Sequence, residues 1–117
     1  MLTIPAGVPI YLHTRPTDLR KSFDGLSGII RGEYGLEPLD GGLFLFLNRR
    51  GDRVKLLWWD GDGMALWYKR LEAGTFESIH CHTEASHIEI DATESAMLLG
   101  GVSLASVRRR KRYRRAS

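Results

Sequence analysis

Three apolar runs separated by two glycine-containing turns dominate the pattern of this chain. Residues 43–47 read Leu-Phe-Leu-Phe-Leu, residues 53–59 Arg-Val-Lys-Leu-Leu-Trp-Trp, and residues 64–70 Met-Ala-Leu-Trp-Tyr-Lys-Arg. Between them lie Arg50-Gly51-Asp52 and Asp60-Gly61-Asp62-Gly63. Glycine and aspartate accept the positive backbone angles of tight hairpins, so the segment predicts a three-stranded antiparallel meander. Its first strand is apolar on both faces, Leu43, Leu45 and Leu47 against Phe44 and Phe46, which marks a central strand covered on both sides.

The flanking segments are shorter. Residues 8–13, Val-Pro-Ile-Tyr-Leu-His, predict a first strand, and Pro9 suggests a sheet edge. Leu19, Phe23, Leu26 and Ile30 recur at helical spacing and predict an amphipathic helix over about 18–31. Thr17 is placed to cap it, and Asp18 suits the positive end of the helix dipole. Gly25 and Gly28 lower its intrinsic propensity unless they allow close packing on a sheet. Residues 35–42 form a loop. Residues 75–79 and 87–90 can each add a strand. Asp91-Ala-Thr-Glu94 has the spacing of a capping box ahead of a short helix at about 92–99, stopped by Gly100-Gly101. The expected fold is α+β: a curved antiparallel sheet of about five strands, one main helix packed on it and a short C-terminal helix. Residues 1–107 are expected to form one domain, and 108–117 a disordered basic tail.

Composition sharpens this in three ways. At 117 residues the chain can bury roughly 65% of its unfolded surface as one domain. No apolar stretch nears the roughly 20 residues of a membrane span, and the N-terminus has no signal-peptide pattern. The single cysteine, Cys81, excludes an internal disulfide and fits a cytoplasmic setting. The net charge of +3 conceals an asymmetry: residues 108–115 carry seven of the 17 basic residues and no acidic one, leaving ten against 14 in the body. The body is mildly acidic. The basic character belongs to the tail.

The wording of these segments is itself recognisable. Arg49-Arg50-Gly51-Asp52, then Lys55, Leu57, Trp59-Asp60-Gly61 and Gly63, are followed by Tyr68-Lys69-Arg70-Leu71-Glu72, Gly74 and Phe76. Together they resemble the small TnpB-type (Orf2-like) accessory protein of the insertion-sequence 66 family of bacterial transposons. The segment with Asp18, Arg20, Lys21, Phe23, Asp24 and Gly25 is similar to a second motif of that family, and Leu98-Leu99-Gly100-Gly101-Val102 to a third. The resemblance implies a role in transposition beside other proteins of the same element.

Candidate chemistry starts with the tail, Arg108, Arg109, Arg110, Lys111, Arg112, Tyr113, Arg114 and Arg115. Its cations cannot pack against one another, so they await a polyanion, and Tyr113 can stack on a base. Neutralising five to seven phosphates would make binding fall on the order of a thousandfold between 50 and 200 mM salt. The competing reading is a solubilising tail or one that meets an acidic protein. A second basic set, Arg49, Arg50, Arg53, Lys55, Lys69 and Arg70, is expected to form a patch beside Trp58, Trp59 and Trp67 if the strands pair in register. Otherwise the tryptophans are core and the arginines a solvated rim. Trp58 and Trp59 must point to opposite faces. Arg20 and Asp24, one turn apart, permit a surface ion pair.

Two catalytic or metal patterns are weaker. Asp18, Asp24, Asp60 and Asp62 invite a metal-nuclease reading, but they sit where aspartate ordinarily occurs and no base or nucleophile accompanies them. His80, Cys81, His82 and His87 are the only other metal-like cluster, and no Cys-x-x-Cys pair supports it. No cofactor and no metal site is expected. The sequence therefore points to a non-enzymatic accessory protein of DNA transposition, contacting DNA, partner transposon proteins or both. A self-associating or scaffolding module without DNA contact is the alternative, and a metal-dependent nuclease the third.

Overall fold

The computed structural model describes residues 7–76 and 84–100. The basic tail, the His80-Cys81-His82 cluster, Gly101 and most of the strand expected at 75–79 lie outside the described residues. Thr75 and Phe76 themselves belong to no strand.

In chain order the elements are β1 (Ile10–His13), α1 (Phe23–Ile29), a π-helical turn (Ile30–Tyr34), a short 3-10 turn (Pro38–Asp40), β2 (Leu43–Leu47), β3 (Arg53–Trp59), β4 (Met64–Arg70), β5 (His87–Ile90) and α2 (Ala92–Gly100). The strands form one open sheet in the order β4-β3-β2-β1-β5. The meander is as the glycine turns require: Leu45 faces Leu56 and Leu56 faces Trp67 in antiparallel register. As the apolar character of both its faces demands, β2 is central. The class is α+β.

The sheet is mixed, however, and not antiparallel throughout. β1 runs parallel to β2, with Ile10 opposite Leu43. A parallel neighbour needs a long crossover, and residues 14–42 supply one that carries α1 over one face of the sheet. β1 is therefore interior, between β2 and β5, and not the edge strand that Pro9 suggested. Pro9 precedes the strand, and its carbonyl accepts the Leu43 amide at 2.9 Å.

Each face of the sheet has its own core. On one face Ile10, Leu12, Leu43, Leu45, Val54 and Leu56 pack with Phe76, Ile90 and Leu98, the last delivered by α2. On the other, Phe44, Phe46 and Leu57 pack with Leu19, Leu26 and Ile30 of the crossover. Fully burying one such side chain stabilises the fold by about 1.5–3 kcal/mol. Trp58 and Trp67 lean on the first core as half-buried neighbours, and Trp59, next along β3, points the opposite way.

The two helices begin differently. The Asp91–Glu94 box forms: the Glu94 amide donates to Asp91 at 2.7 Å, and the Asp91 amide to Glu94 at 3.3 Å. The first helix, by contrast, begins at Phe23, five residues later than the pattern suggests. Asp18 receives the Arg20 amide at 3.0 Å and closes a local turn instead of opening a helix. Phe23 consequently leaves the apolar stripe and is 42% exposed. Neither glycine meets the sheet. A Cβ on Gly25 would come within 3.0 Å of the Lys21 side chain, and one on Gly28 would meet nothing.

Candidate nucleic-acid interface

At the β2–β3 end of the sheet the chain builds a braced turn. The Gly51 amide donates to the Asn48 carbonyl at 3.1 Å, and Gly51 takes a φ of 75°, open to glycine at little cost. The Asn48 side chain closes the loop, donating to the Asp52 carboxylate at 2.7 Å and accepting the Arg53 amide at 3.0 Å. Asparagine suits this because its short amide can satisfy backbone a few residues on. The hydrogen bond from Asn48 holds the Asp52 carboxyl below the usual carboxylate range.

Three outside amides pin the same turn. Thr17 donates to the Leu47 carbonyl (2.8 Å), Leu71 to Asp52 (2.7 Å) and Phe76 to Gly51 (2.8 Å). Arg49 and Arg50 occupy the two central positions, exposed, and make no hydrogen bond or ion pair among the described residues. A rigid backbone thus carries two exposed guanidinium groups, hydrogen-bonded to nothing among the described residues, with Arg50 near enough to Asp52 to help lower its carboxyl.

Beside the turn lies an open cleft of about 510 Å³, lined by Arg20, Arg49, Arg50 and Arg53 with Asn48 and Tyr68. Asp18 is the one carboxylate in its lining, and Arg20 engages it through Nε (3.0 and 3.1 Å) and Nη2 (2.7 Å). Those bonds bring the Asp18 carboxyl down to about 2, so it is charged at any ordinary pH. Arg20 pairs with Asp18 and not with Asp24 one turn on, because both residues lie in the turn ahead of the helix. Four arginines face the one engaged carboxylate of the lining and leave the cleft positive, with Asp52 beside the turn offsetting part of the charge of Arg50 and Arg53. Arg53 Nη1 donates to the Tyr68 hydroxyl at 3.3 Å, which steadies that ring at the cleft wall.

The expected basic patch divides. Arg53 and Arg70 are opposite in register, on the same face as Tyr68. Arg70 is bound to Glu72 at 3.1 Å. Lys69 opposes Val54, on the other face. Lys55 is buried, 7% exposed, where its ammonium donates to the Lys21 carbonyl at 2.8 Å and lies 5.0 Å from the Tyr68 ring centroid. It anchors the Arg20–Lys21 segment to the sheet and is not a surface cation. Trp58 and Trp59 are not beside the arginines, lying five and six residues along β3 from Arg53, roughly 17–20 Å away, whereas Trp67 shares its face with Lys69 two positions along β4. Tyr68 and Asn48 are the site residues that the sequence reading did not single out, although an Asx residue just before Arg-Arg-Gly was the available signal.

The motif residues Asp60, Gly61 and Gly63 are at that far end, in the β3–β4 turn, closed by the Asp60 amide on the Gly63 carbonyl at 2.8 Å. Asp18, Asp24, Asp60 and Asp62 are not brought together, and among the described residues no three His, Cys, Asp or Glu side chains are grouped to hold a metal. His87 stacks on Tyr34 with ring centroids 4.0 Å apart. Among the described residues no helix is long and apolar enough to cross a membrane.

The family model for IS66 Orf2 like proteins matches residues 8–109. The chain belongs to that family. A transposition-associated accessory role follows from the membership. Two relatives come from Sinorhizobium fredii (strain NBRC 101917 / NGR234). Uncharacterized protein y4hO is 36% identical over 101 residues, covering 85% of this chain and 86% of the relative. Uncharacterized protein y4jC is 31% identical over 104 residues, covering 89% and 87%. No solved structure matches the chain. Within the family motifs, Arg49 and Arg50 meet Asp18 and Arg20 at the cleft, whereas Asp60 to Gly63 form the opposite turn.

Proposed function

We propose that this member of the family is a non-enzymatic accessory factor of transposition that holds nucleic-acid phosphates through the Arg49–Arg50 turn. The sequence 108–115 acts as a second, electrostatic anchor, and other proteins of the same transposon are its partners in the cytoplasm. The observation that carries the reading is the pair of exposed arginines, without a hydrogen bond or salt bridge among the described residues, held on a turn fixed by Asn48 and three outside amides. Pre-positioned guanidinium groups lose less conformational freedom on meeting phosphate than a mobile pair does. Such contacts position the protein on a strand and do not read bases, so sequence choice belongs to a partner. A nuclease role finds less support. Asp18 is committed to Arg20, and Asp60 lies past the far end of β3, roughly 20 Å along the strand from Arg53 at the cleft.

One observation favours the scaffold alternative. β4 is an outermost strand whose Met64, Ala65, Leu66 and Trp67 are only half-buried, an edge on which a second copy or a partner strand can pair. The two readings separate in one experiment. Full-length protein and a chain ending at Val107 are titrated with a transposon-end duplex and a scrambled duplex across a salt series. The proposal expects equal binding of both duplexes, steeply weakened by salt and reduced but retained on truncation. Absence of binding by full-length protein at low salt overturns it and leaves the scaffold.

A further inference from the structure

The turn that carries Arg49 and Arg50 separates two clefts. The first, with Leu19, Arg53 and Tyr68, lies toward the α1 face of the sheet. The second, about 300 Å³, reaches Leu12, Leu47 and Phe76 of the opposite core. Both are lined by Pro16, Asn48, Arg49 and Arg50, so they form a groove bent over the end of the sheet. We propose that this groove takes single-stranded DNA, with Arg49, Arg50 and Arg53 on successive phosphates and Tyr68 stacked on an unpaired base. The proposal deepens the phosphate-contact reading and rests on it.

Shape is the first argument. A ligand that touches both clefts must bend around the Arg49–Arg50 ridge within a few residues' span. Duplex DNA, with a persistence length of about 50 nm, does not follow such a bend, whereas a single strand does. Both clefts also fall near the range of about 300–1,000 Å³ typical of sites that enclose small organic groups, which a base inside a stacked duplex cannot enter.

Chemistry is the second. Tyr68 keeps 47% of its surface exposed although its hydroxyl is held by Arg53 and Lys55 lies 5.0 Å from its ring centroid. A ring fixed at its hydroxyl and backed by a buried cation is a ready stacking platform, and every base has a π-face to offer it. Arg49 and Arg50 line the same cleft for the neighbouring phosphates. The second cleft adds Arg15 and the half-buried Leu47, with Leu12 and Phe76 almost wholly covered behind them.

The test uses the full chain, a fluorescein-labelled thymidine homopolymer and a duplex of the same length, at matched salt. Wild type is expected to bind the single strand more tightly. Tyr68→Ala should weaken single-strand binding roughly tenfold and leave duplex binding unchanged. Tyr68→Phe, which keeps the ring, should restore it and guards against a folding defect. Equal loss on both forms, no loss in Tyr68→Ala, or a preference for duplex overturns the single-strand inference while the phosphate reading stands. Binding of neither form at low salt overturns both.

Discussion

The two hairpin turns of the meander look alike in sequence and are unlike in structure. Each joins strands of one sheet through glycine and aspartate, with Gly51 at φ 75° and Gly61 at φ 90°. The β3–β4 turn is closed by the Asp60 amide on the Gly63 carbonyl, with Asp60, Gly61 and Asp62 exposed. The β2–β3 turn is fastened by Asn48 inside and by the Thr17, Leu71 and Phe76 amides outside. A hairpin that only reverses the chain needs positive φ and little else. Bracing beyond that need is the mark of a turn that presents something, and here it presents two arginines to a cleft.

Breaking the bracing should give the largest effect. Asn48→Ala removes a bond to a carboxylate and a bond from a backbone amide, and should cost about 1–2 kcal/mol in urea unfolding, the exposed carboxylate bond being weakened by solvent. Asp62→Ala at the other turn should stay within about 0.5 kcal/mol. Equal losses at the two turns would mean that the β2–β3 turn is no more firmly braced than the β3–β4 turn. Next in size is the charge itself. Arg49→Ala with Arg50→Ala in full-length protein should lower the slope of log affinity against log salt by about 2. Lys69→Ala, on the opposite face, should change it less.

The smallest effect concerns His13, at the β1 end of the second cleft. Burial, the largest influence, pushes its imidazole below the usual range, against the pull of nearby Glu33 and with the help of Arg15 and His87. Its Nδ1 is 2.8 Å from the Tyr34 hydroxyl. Because the folded form prefers neutral imidazole, its contribution to stability is complete above the ordinary value of 6.5 and is lost as pH falls below it. Unfolding at pH 7.5 and 5.5 should therefore show a drop in wild type that is smaller in His13→Gln. A larger drop in the variant would reverse the sign.

What the sequence disclosed follows the range of each interaction. The meander, the centrality of β2 and the Asp91–Glu94 cap are set by neighbours within a few residues, and all three were legible. The parallel pairing of β1 was not, because it depends on where a crossover of nearly thirty residues returns. The late start of α1 shows local chemistry of a different kind winning: Asp18 bonds Arg20, and Lys55, distant in sequence, takes the Lys21 carbonyl. Lys55 is instructive for the site as well. A lysine between Val54 and Leu56 on a strand one place from the centre reads as a surface cation by type and is a buried anchor by position. The arginines were visible as charge. Their assembly with Tyr68 required the register of β3 on β4, in which Lys55 meets Tyr68 and Arg53 meets Arg70.

The most direct measurement is an NMR titration of the isotope-labelled full chain with single-stranded DNA, following backbone amides at both turns. The account predicts that resonances of residues 48–53 and 18–20 shift together and saturate, while those of residues 60–63 stay in place. Shifts confined to the tail, or larger at 60–63 than at 48–53, would contradict it.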